Sequence, residues 1–292
     1  MIVEKLKKIC EVKENYDLVS YNTFKLHSIC KAFVIAITEK ELIKVCEILF
    51  NSNEKYLVIG NGSNIILPKY FDGFIIKYCN NLYDIKNDIL SASSGCMLNR
   101  VASEMSAMCY TGWEWATGIP GTLGGSIVGN AGAYKSSISD LLIKARVYDG
   151  KEIYEMSNED FKYEYRNSSL KGRRDIVILS AEFKLTKGDN DQIRDLIFDR
   201  TKRRIETQDL KNPSNGSVFR NPEGLSAGKL IDDLGLKGLS VNDAMVSKIH
   251  ANFIINTGNA TSKDIIKLIK IVKEKVKEHY DIELHLEQEI IK

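Results

Sequence analysis

The densest group of residues that could do chemistry is a glycine-rich run from Gly118 to Gly132. Its sequence, G-I-P-G-T-L-G-G-S-I-V-G-N-A-G, places six of the chain's 20 glycines within 15 residues. Glycines let successive backbone N–H groups approach a pyrophosphate, and the hydroxyls of Thr122 and Ser126 can donate further hydrogen bonds. The run predicts a phosphate-binding loop, with a tight surface turn between strands as the alternative.

A second glycine-bearing turn extends from Gly60 to Asn64 and follows a short apolar run. It lacks the third glycine of the G-x-G-x-x-G motif, which disfavours a Rossmann site. Gly228-Lys229 is followed by Leu230 instead of the Ser or Thr of a P-loop, which disfavours a P-loop NTPase. The two turns, one in each of two consecutive α/β units, could instead bind one extended dinucleotide.

Three further side chains could act on a substrate, although each also has a simpler structural explanation. The Arg166 guanidinium could bind a carboxylate or phosphate in a forked geometry, or it could form a surface ion pair. Ser217 follows a flexible glycine without the G-x-S-x-G pattern of a nucleophile elbow, so by itself it indicates a turn. Glu289 by itself indicates an exposed carboxylate on a terminal strand.

The remaining metal-ligating residue types show no pattern of a metal site. The four histidines are too far apart in sequence to form a ligand pair on one helical face, so we predict no metal. All six cysteines lie within the first 109 residues and include no C-x-x-C pair, which predicts free thiols.

Length and composition restrict the class of protein. At about 150 residues per domain, 292 residues predict about two domains, and 43% hydrophobic with 27% charged residues is ordinary for a globular protein. The 41 basic and 39 acidic residues give a formal charge of +2, which favours neither nucleic acid nor an acidic membrane as a partner. The sequence shows no signal peptide and no membrane-spanning run, so we expect a cytoplasmic protein.

The elements that must position these residues can be read from periodicity and turn signals. Thr38, with Glu41 three residues later, predicts a helix start, and a long helix is predicted to begin at Thr261 or Ser262. Asp149-Gly150 predicts a β-hairpin. We predict strands at 56–59, 65–67, 74–78, 89–93, 144–148, 152–156, 175–185 and 252–255, and further helices at 99–109 and 191–204.

Taken in order, the motifs resemble one family, UDP-N-acetylenolpyruvoylglucosamine reductase. They are V-I-G-N-G-S-N-I-I-L (58–67), G-I-P-G-T-L-G-G-S-I-V-G-N-A-G-A-Y (118–134), Y-R-N-S (165–168), P-S-N-G-S-V-F-R-N-P (213–222), A-G-K-L-I (227–231), S-K-I-H-A-N-F-I-I-N (247–256) and L-E-Q-E-I (286–290). The resemblance extends across nearly the whole chain, which is similar in length to the shorter subtype of the family.

The resemblance implies an α+β fold, with a two-subdomain FAD-binding module of the vanillyl-alcohol-oxidase (PCMH) type and a C-terminal α+β substrate domain. The predicted divisions are 1–85, 86–204 and 205–292. The implied activity is an NADPH-dependent reduction of UDP-N-acetylglucosamine enolpyruvate to UDP-N-acetylmuramate in peptidoglycan synthesis, by a monomer.

The resemblance also implies residue roles. Ser217 would be the general acid, while Arg166 and Glu289 would polarise the substrate carboxylate and stabilise enolate-like charge. Tyr134 and Asn221 would bind the substrate together with these three. The implied FAD-binding residues are Gly60, Asn61, Gly62, Ser63, Asn64, Gly118, Ile119, Pro120, Gly121, Thr122, Gly124, Gly125, Ser126, Asn130 and Gly132.

Four segments depart from the family pattern, mainly at positions that we expect around the substrate. His27-Ser28 replaces Gly-Gly, Thr207-Gln208-Asp209 replaces Lys-Gln-Pro, Val241-Asn242-Asp243-Ala244 replaces Val-Gly-Gly-Ala, and Ile291 replaces an arginine. Lys211 or Lys292 could supply a missing charge. Two alternatives therefore stay open: an FAD oxidoreductase with a different acceptor, and a catalytically silent protein that binds FAD or a nucleotide sugar.

Overall fold

The computed structural model describes residues 2–292, which divide into two compact units. Unit 1 runs to Tyr16 and includes Lys31–Asn61 and Asp72–Thr201, whereas unit 2 comprises Asp17–Cys30, Gly62–Phe71 and Lys202–Lys292. Each unit is thus assembled from three separate segments, and the three-part division at residues 85 and 204 stays a prediction. The α-helices are α1 (Ile2–Lys7), α2 (Glu39–Asn51), α3 (Leu98–Ala107), α4 (Leu123–Gly129), α5 (Asn190–Thr207), α6 (Ala227–Asp233) and α7 (Ser262–Tyr280).

Nineteen strands, most of them short, alternate with these helices along the described chain. The strands are β1 (Glu11–Asp17), β2 (Ile29–Ala36), β3 (Tyr56–Ile59), β4 (Ile65–Ile66), β5 (Tyr70–Tyr78), β6 (Tyr83–Lys86), β7 (Ile89–Ser93), β8 (Tyr110–Thr111), β9 (Gly132–Ala133), β10 (Ser136–Ser137), β11 (Leu142–Tyr148), β12 (Ile153–Ser157), β13 (Val177–Lys184), β14 (Thr186–Lys187), β15 (Ser214–Ser217), β16 (Ser240–Val241), β17 (Ala244–Val246), β18 (Phe253–Asn256) and β19 (Glu289–Ile290).

The first sheet of unit 1 has the strand order β1-β2-β5-β3, and β3 runs parallel to β5. Helix α2 begins where the sequence predicts, because the Thr38 side chain accepts a hydrogen bond from the Glu41 amide and Glu41 bonds back to the Thr38 amide. Its apolar face is buried in a cluster with Phe74 and Ile76 of the sheet. This packing places the turn after β3, which carries Gly60, at the end of a buried strand.

The second sheet of unit 1 is antiparallel, with the order β12-β11-β13-β7-β6. The predicted hairpin joins β11 to β12 and turns at Gly150, whose φ of +91° suits glycine. Helix α3 packs on this sheet in a cluster that also buries Trp113 and Trp115. The glycine-rich run follows these tryptophans directly, so its first residues start from a rigid core.

Unit 2 has an antiparallel sheet of order β15-β18-β17-β16 and a separate parallel pair, β4 with β19. Helix α7 starts after Thr261, whose hydroxyl accepts from the Asp264 amide, as predicted. Its apolar stripe is buried against α6 and the sheet residues of the same cluster, and comprises Ile265, Leu268, Ile269, Val272 and Val276. Lys263, Lys267 and Lys270 of the same helix are exposed.

Two further features complete the description. All six cysteines are free, three of them buried and three half-buried. Over residues 2–292, no helix combines the length and apolar character needed to cross a membrane.

The first segment of unit 2, Asp17–Cys30, contains a pH-dependent contact between the Asp17 carboxylate and residues near the other end of the segment, His27 and Ser28. Burial tends to raise the pKa of Asp17, but hydrogen bonds from His27 and from the amides of Ser28 and Val19 outweigh it and lower the pKa. Because the folded-state pKa lies below the unfolded value of about 3.9, this stabilisation is present above that pH and is lost as the pH falls through the folded-state pKa.

We therefore expect Asp17→Asn to lower the free energy of unfolding at pH 7 by on the order of 1 kcal/mol or less, and to have a smaller effect near pH 3. Urea unfolding at both pH values measures this difference. His27→Gln is the matched control, since it keeps the two amide contacts of Asp17. An equal loss at both pH values would contradict the assignment.

Candidate functional site

In unit 1 the start of the first glycine-bearing turn contacts the glycine-rich run. The Asn61 side-chain Nδ2 donates to the Pro120 carbonyl at 2.9 Å. A Cβ on Gly60 would lie 2.6 Å from Thr122 Oγ1, so a side chain at this position would separate the two loops. Glycine at position 60 therefore allows the close approach of the Thr122 side chain, which is 62 residues further along the chain.

The Gly60 carbonyl accepts a hydrogen bond from the Nζ of Lys77, on β5. Desolvation by burial lowers the pKa of this lysine, and Cys79 opposes the shift. The contact fixes the Gly60 carbonyl at the start of the turn and places the lysine side chain beside it. Lys77 could not be predicted from the sequence, because its partner is a backbone carbonyl and no motif marks the contact.

The glycine-rich run folds as helix α4 with flanking turns, whereas the sequence predicts only a loop. Thr122 caps the helix by accepting from the Gly125 amide at 3.3 Å, and Asn130 ends it with a left-handed φ of +44°. The amides of Leu123 and Gly124 donate to the carbonyls of Cys96 and Ser94. These two amides are thus satisfied within the protein. The preceding residues are also tied in, since the Gly121 carbonyl accepts from Leu98 and the Ile119 amide donates to Ala116.

Among residues 2–292, two glycines inside α4 have no neighbour that requires a glycine. A Cβ at Gly125 would meet only Thr122 Oγ1, at an ordinary 3.5 Å, and a Cβ at Gly129 would meet no described atom within 4 Å. Glycine within a helix costs about 1 kcal/mol relative to alanine. Gly125 is also exposed. The space above its backbone is therefore open.

Gly125→Ala should therefore raise the unfolding free energy of the FAD-free protein by roughly 0.5–1 kcal/mol, because alanine favours the helix. The same change should weaken FAD binding by tenfold or more, since the methyl group would enter space next to a residue that the resemblance predicts to bind FAD. Fluorescence titration with FAD and thermal unfolding without FAD measure the two effects.

Gly129→Ala is the matched control for this variant. It lies in the same helix and has more open space, but it lies outside the predicted FAD-binding set. We expect the same gain in stability with FAD affinity unchanged within about twofold. Equal FAD affinities for the two variants would contradict the assignment of the space at Gly125.

The turn that follows α4 is bonded to Arg166. The Arg166 guanidinium donates to the carbonyls of Asn130, at 3.4 Å, and Gly132. In return, the Asn130 side chain donates to the Glu164 carbonyl at 2.9 Å. Arg166 has a φ of +56°, a left-handed conformation that is uncommon outside glycine and is concentrated at functional sites. Arg166 is thus anchored on the glycine-rich run.

Tyr134 belongs to the same cluster and is positioned by Arg200 of α5. Its hydroxyl donates to the Arg200 carbonyl at 3.3 Å, and the Arg200 guanidinium lies 4.9 Å from its ring centroid. The buried carboxylate of Glu114 lies 4.0 Å from Arg200 and is itself held by Thr111 and Gly112. Tyr134 therefore has a fixed orientation although 37% of its surface is exposed.

In unit 2, the segment from His285 to Ile291 carries Glu289. It is hydrogen-bonded both to the chain that follows Ser217 and to Asn64, at the end of the first glycine-bearing turn. On one side, the Glu287 amide donates to the Val218 carbonyl and Arg220 donates to His285, each at 2.9 Å. On the other side, the Glu289 amide donates to the Asn64 carbonyl at 2.9 Å. This C-terminal segment therefore lies between the strand that carries Ser217 and the turn that carries Gly62, Ser63 and Asn64.

The individual residues of this cluster differ from their simplest interpretations. Ser217 ends strand β15 and is half-buried, and Glu289 starts β19 and is half-buried instead of exposed. Asn221 is exposed, and its side-chain oxygen accepts from the Ala227 amide at the start of α6. Gln288, which precedes Glu289 in the chain, is 3% exposed. Its side chain donates to the carbonyl of Gly216 and to that of Ser217. Arg200 lies outside the sequence motifs. Gln288 lies in L-E-Q-E-I (286–290), but that motif does not indicate its contacts with residues 216 and 217.

The departures from the family pattern have local structural roles. Asn242 and Asp243 form the turn between β16 and β17, where Asn242 has a φ of +48° and donates to Asp264 of α7. The buried Asp209 accepts from the Ser247 hydroxyl and the Asn212 side chain. Ile291 is buried, and Thr207 bonds to the carbonyl of the preceding helical turn. Each replacement is accommodated within unit 2.

Comparisons with known proteins match both parts of the chain. Residues 208–291 match the family described as UDP-N-acetylenolpyruvoylglucosamine reductase, C-terminal domain, and residues 30–154 match the FAD binding domain. The chain is 39% identical over 285 residues to UDP-N-acetylenolpyruvoylglucosamine reductase of Clostridium novyi (strain NT), covering 96% of this chain and 92% of that protein.

Solved structures agree with these matches. The crystal structure of UDP-N-acetylenolpyruvylglucosamine reductase from Thermus caldophilus superposes with a TM-score of 0.82 at 29% identity, covering 97% of this chain and 99% of that chain. Berberine bridge enzyme from Eschscholzia californica is similar in fold alone, with a TM-score of 0.50 at 14% identity over 65% of this chain and 44% of that one. The predicted α+β fold with an FAD-binding module of the PCMH type is confirmed.

Proposed function

The chain belongs to the UDP-N-acetylenolpyruvoylglucosamine reductase family, and from this premise we propose that it reduces UDP-N-acetylglucosamine enolpyruvate to UDP-N-acetylmuramate in peptidoglycan synthesis. It is an FAD-dependent oxidoreductase that uses NADPH. One observation carries the proposal: nearly the full length of the chain aligns with nearly the full length of a relative of that name at 39% identity.

When bound, FAD supplies the transfer of two electrons from NADPH to the double bond of the substrate. We assign the remaining work to side chains of this chain. Ser217 donates the proton to the substrate carbon next to the one that is reduced. A serine hydroxyl is a weak acid in water, but the enolate-like carbanion is strongly basic, and holding the two together makes the transfer feasible.

Arg166 and Glu289 act on charge in this proposal. Arg166 binds the pyruvyl carboxylate through N–H groups of its five-donor guanidinium other than those that donate to the carbonyls of Asn130 and Gly132. Those two bonds support the role because they fix the guanidinium beside the glycine-rich run. Glu289 stabilises the enolate-like oxygen. The Glu289 amide donates to the carbonyl of Asn64, which belongs to the predicted FAD-binding turn, so the position of Glu289 is linked to that turn.

The binding residues are proposed on the same basis. Tyr134, fixed by Arg200, and Asn221 contact the nucleotide sugar. FAD is held by the turn at Gly60–Asn64 and by the glycine-rich run, where the open space at Gly125 supports the assignment.

The finer biological setting is also part of the proposal. We place the reaction in the cytoplasm, with the enzyme as a monomer that contributes to cell shape and division by supplying a cell-wall precursor. The nearly balanced charge of +2 supports a small-molecule substrate as the partner, since it gives no general attraction to nucleic acid or to an acidic membrane.

An anaerobic absorbance experiment tests the function. The purified protein, loaded with FAD, is reduced with NADPH and then mixed with UDP-N-acetylglucosamine enolpyruvate. We expect the flavin band to bleach and then to return, with UDP-N-acetylmuramate as the product by mass spectrometry. A band that bleaches and stays bleached would reject this acceptor and favour a different one, and tight UDP-sugar binding without turnover would favour a silent protein.

A further inference from the structure

Gln288 makes an unusual pair of contacts in unit 2. Its side-chain Nε2 donates to the carbonyl oxygens of Gly216 and Ser217, each at 3.3 Å. These carbonyls belong to the two peptide groups that flank the α-carbon of Ser217. One carboxamide, which is 3% exposed, therefore bonds to the backbone on both sides of a single serine.

Two bonds of this kind determine where the serine side chain points. Peptide groups are planar, so orienting the carbonyls before and after an α-carbon restricts both φ and ψ at that residue. The direction of the Cα–Cβ bond follows from the same backbone. Gln288 thus restricts the region that the Ser217 hydroxyl can occupy.

The surrounding strand does not provide this restriction by itself. Gly216 has a φ of +71°, and the pairing of β15 with β18 shifts register between Ser214 and Ser217. A glycine beside an irregular pairing leaves the local backbone with more freedom than a regular ladder would. The contacts of Gln288 are made to the carbonyls of Gly216 and Ser217, at this irregular part of the strand.

The side-chain oxygen of Gln288, Oε1, indicates that the residue does more than stabilise the fold. Within residues 2–292, Gln288 Oε1 is buried and accepts no hydrogen bond. Burying an unsatisfied carbonyl oxygen costs free energy, and a methionine would fill a similar volume without that cost. The amide nitrogen, with its two contacts, is the part of the side chain that an apolar residue could not replace.

We propose that Gln288 is a positioning residue for Ser217: it holds the two peptide groups around the serine so that the hydroxyl is oriented toward the substrate carbon. This inference rests on the proposed function, in which Ser217 is the proton donor. Gln288 itself exchanges no proton and touches no reacting atom in this role.

The test combines Gln288→Met with Ser217→Ala in a double-mutant cycle. For Gln288→Met alone we expect FAD reduction by NADPH at the wild-type rate, reoxidation by UDP-N-acetylglucosamine enolpyruvate slowed about 10- to 100-fold, and a KM for that substrate within about threefold of wild type. On the Ser217→Ala background, adding Gln288→Met should change reoxidation by less than about twofold, because the hydroxyl that it positions is absent.

Hydrogen–deuterium exchange supplies a readout that does not depend on turnover. Peptides covering residues 214–220 should exchange faster in Gln288→Met, while exchange in α7 stays unchanged. Unchanged exchange at 214–220, an equal slowing on both backgrounds, or an equal slowing of the NADPH step would overturn the positioning role.

Failure of the proposed function gives a different pattern. It would appear as a wild-type protein that is not reoxidised by this substrate, or as Ser217→Ala reoxidised at the wild-type rate. Either result would overturn the positioning role through its premise, even where exchange at 214–220 still responds to Gln288→Met.

Discussion

Ser217→Ala is expected to leave the reduction of bound FAD by NADPH unchanged and to slow reoxidation by UDP-N-acetylglucosamine enolpyruvate about 10²- to 10⁴-fold, the usual contribution of a positioned general acid. The two half-reactions separate because only the second needs a proton on the substrate carbon. Anaerobic stopped-flow absorbance of the flavin band measures both rates in one preparation.

Ser214→Ala is the matched control for this prediction. It removes a serine hydroxyl from the same strand, three residues away, where that hydroxyl accepts a hydrogen bond from the Gly216 amide at 3.5 Å. Both half-reactions should stay within about threefold of wild type. If Ser217→Ala were reoxidised as fast as Ser214→Ala, another group would have to supply the proton.

Gly62→Ala should have the largest effect on stability. Gly62 has a φ of +62°, and an added Cβ would lie 2.3 Å from the Tyr21 carbonyl oxygen and 2.8 Å from the Asn22 α-carbon. The left-handed conformation costs an L-residue roughly 1–2 kcal/mol, and overpacking against backbone adds about 1–3 kcal/mol. We expect a loss of roughly 2–5 kcal/mol in unfolding free energy, measured by urea denaturation without FAD.

Gly235→Ala separates the two contributions. Its φ of +66° is nearly the same, but a Cβ there would meet no atom of the described chain within 4 Å. This variant should lose only the conformational part, about 1–2 kcal/mol. Equal losses at the two positions would mean that the backbone around Tyr21 moves to admit the methyl group. Gly62 would then matter only for its φ.

Elements specified by neighbouring residues could be predicted from the sequence. The capping boxes of α2 and α7 and the strand β7 lie where the pattern places them. Their signals are local, since a cap needs only residues three apart and a strand needs only its own alternation. The motifs likewise identified the family, because its spaced segments are properties of the sequence itself.

Contacts between distant segments and backbone atoms could not be predicted in this way. Gln288 reaches carbonyls 71 and 72 residues away, and Arg200 holds Tyr134 across 66 residues. Helix α4 was missed for a different reason, since its glycines disfavour a helix by propensity. Its cap at Thr122 and the bonds of its first amides to Ser94 and Cys96 outweigh that preference.

The pairing of β4 with β19 has a consequence for how the protein is made. Residues 65–66 leave the ribosome more than two hundred residues before their partner strand at 289–290 is synthesised. At roughly 5–20 residues per second, that interval lasts on the order of tens of seconds. During it, Ile66 and Leu67, both buried in the finished fold, have no β19 to cover them. We therefore expect unit 2 to be completed only after residues 289–290 have been synthesised.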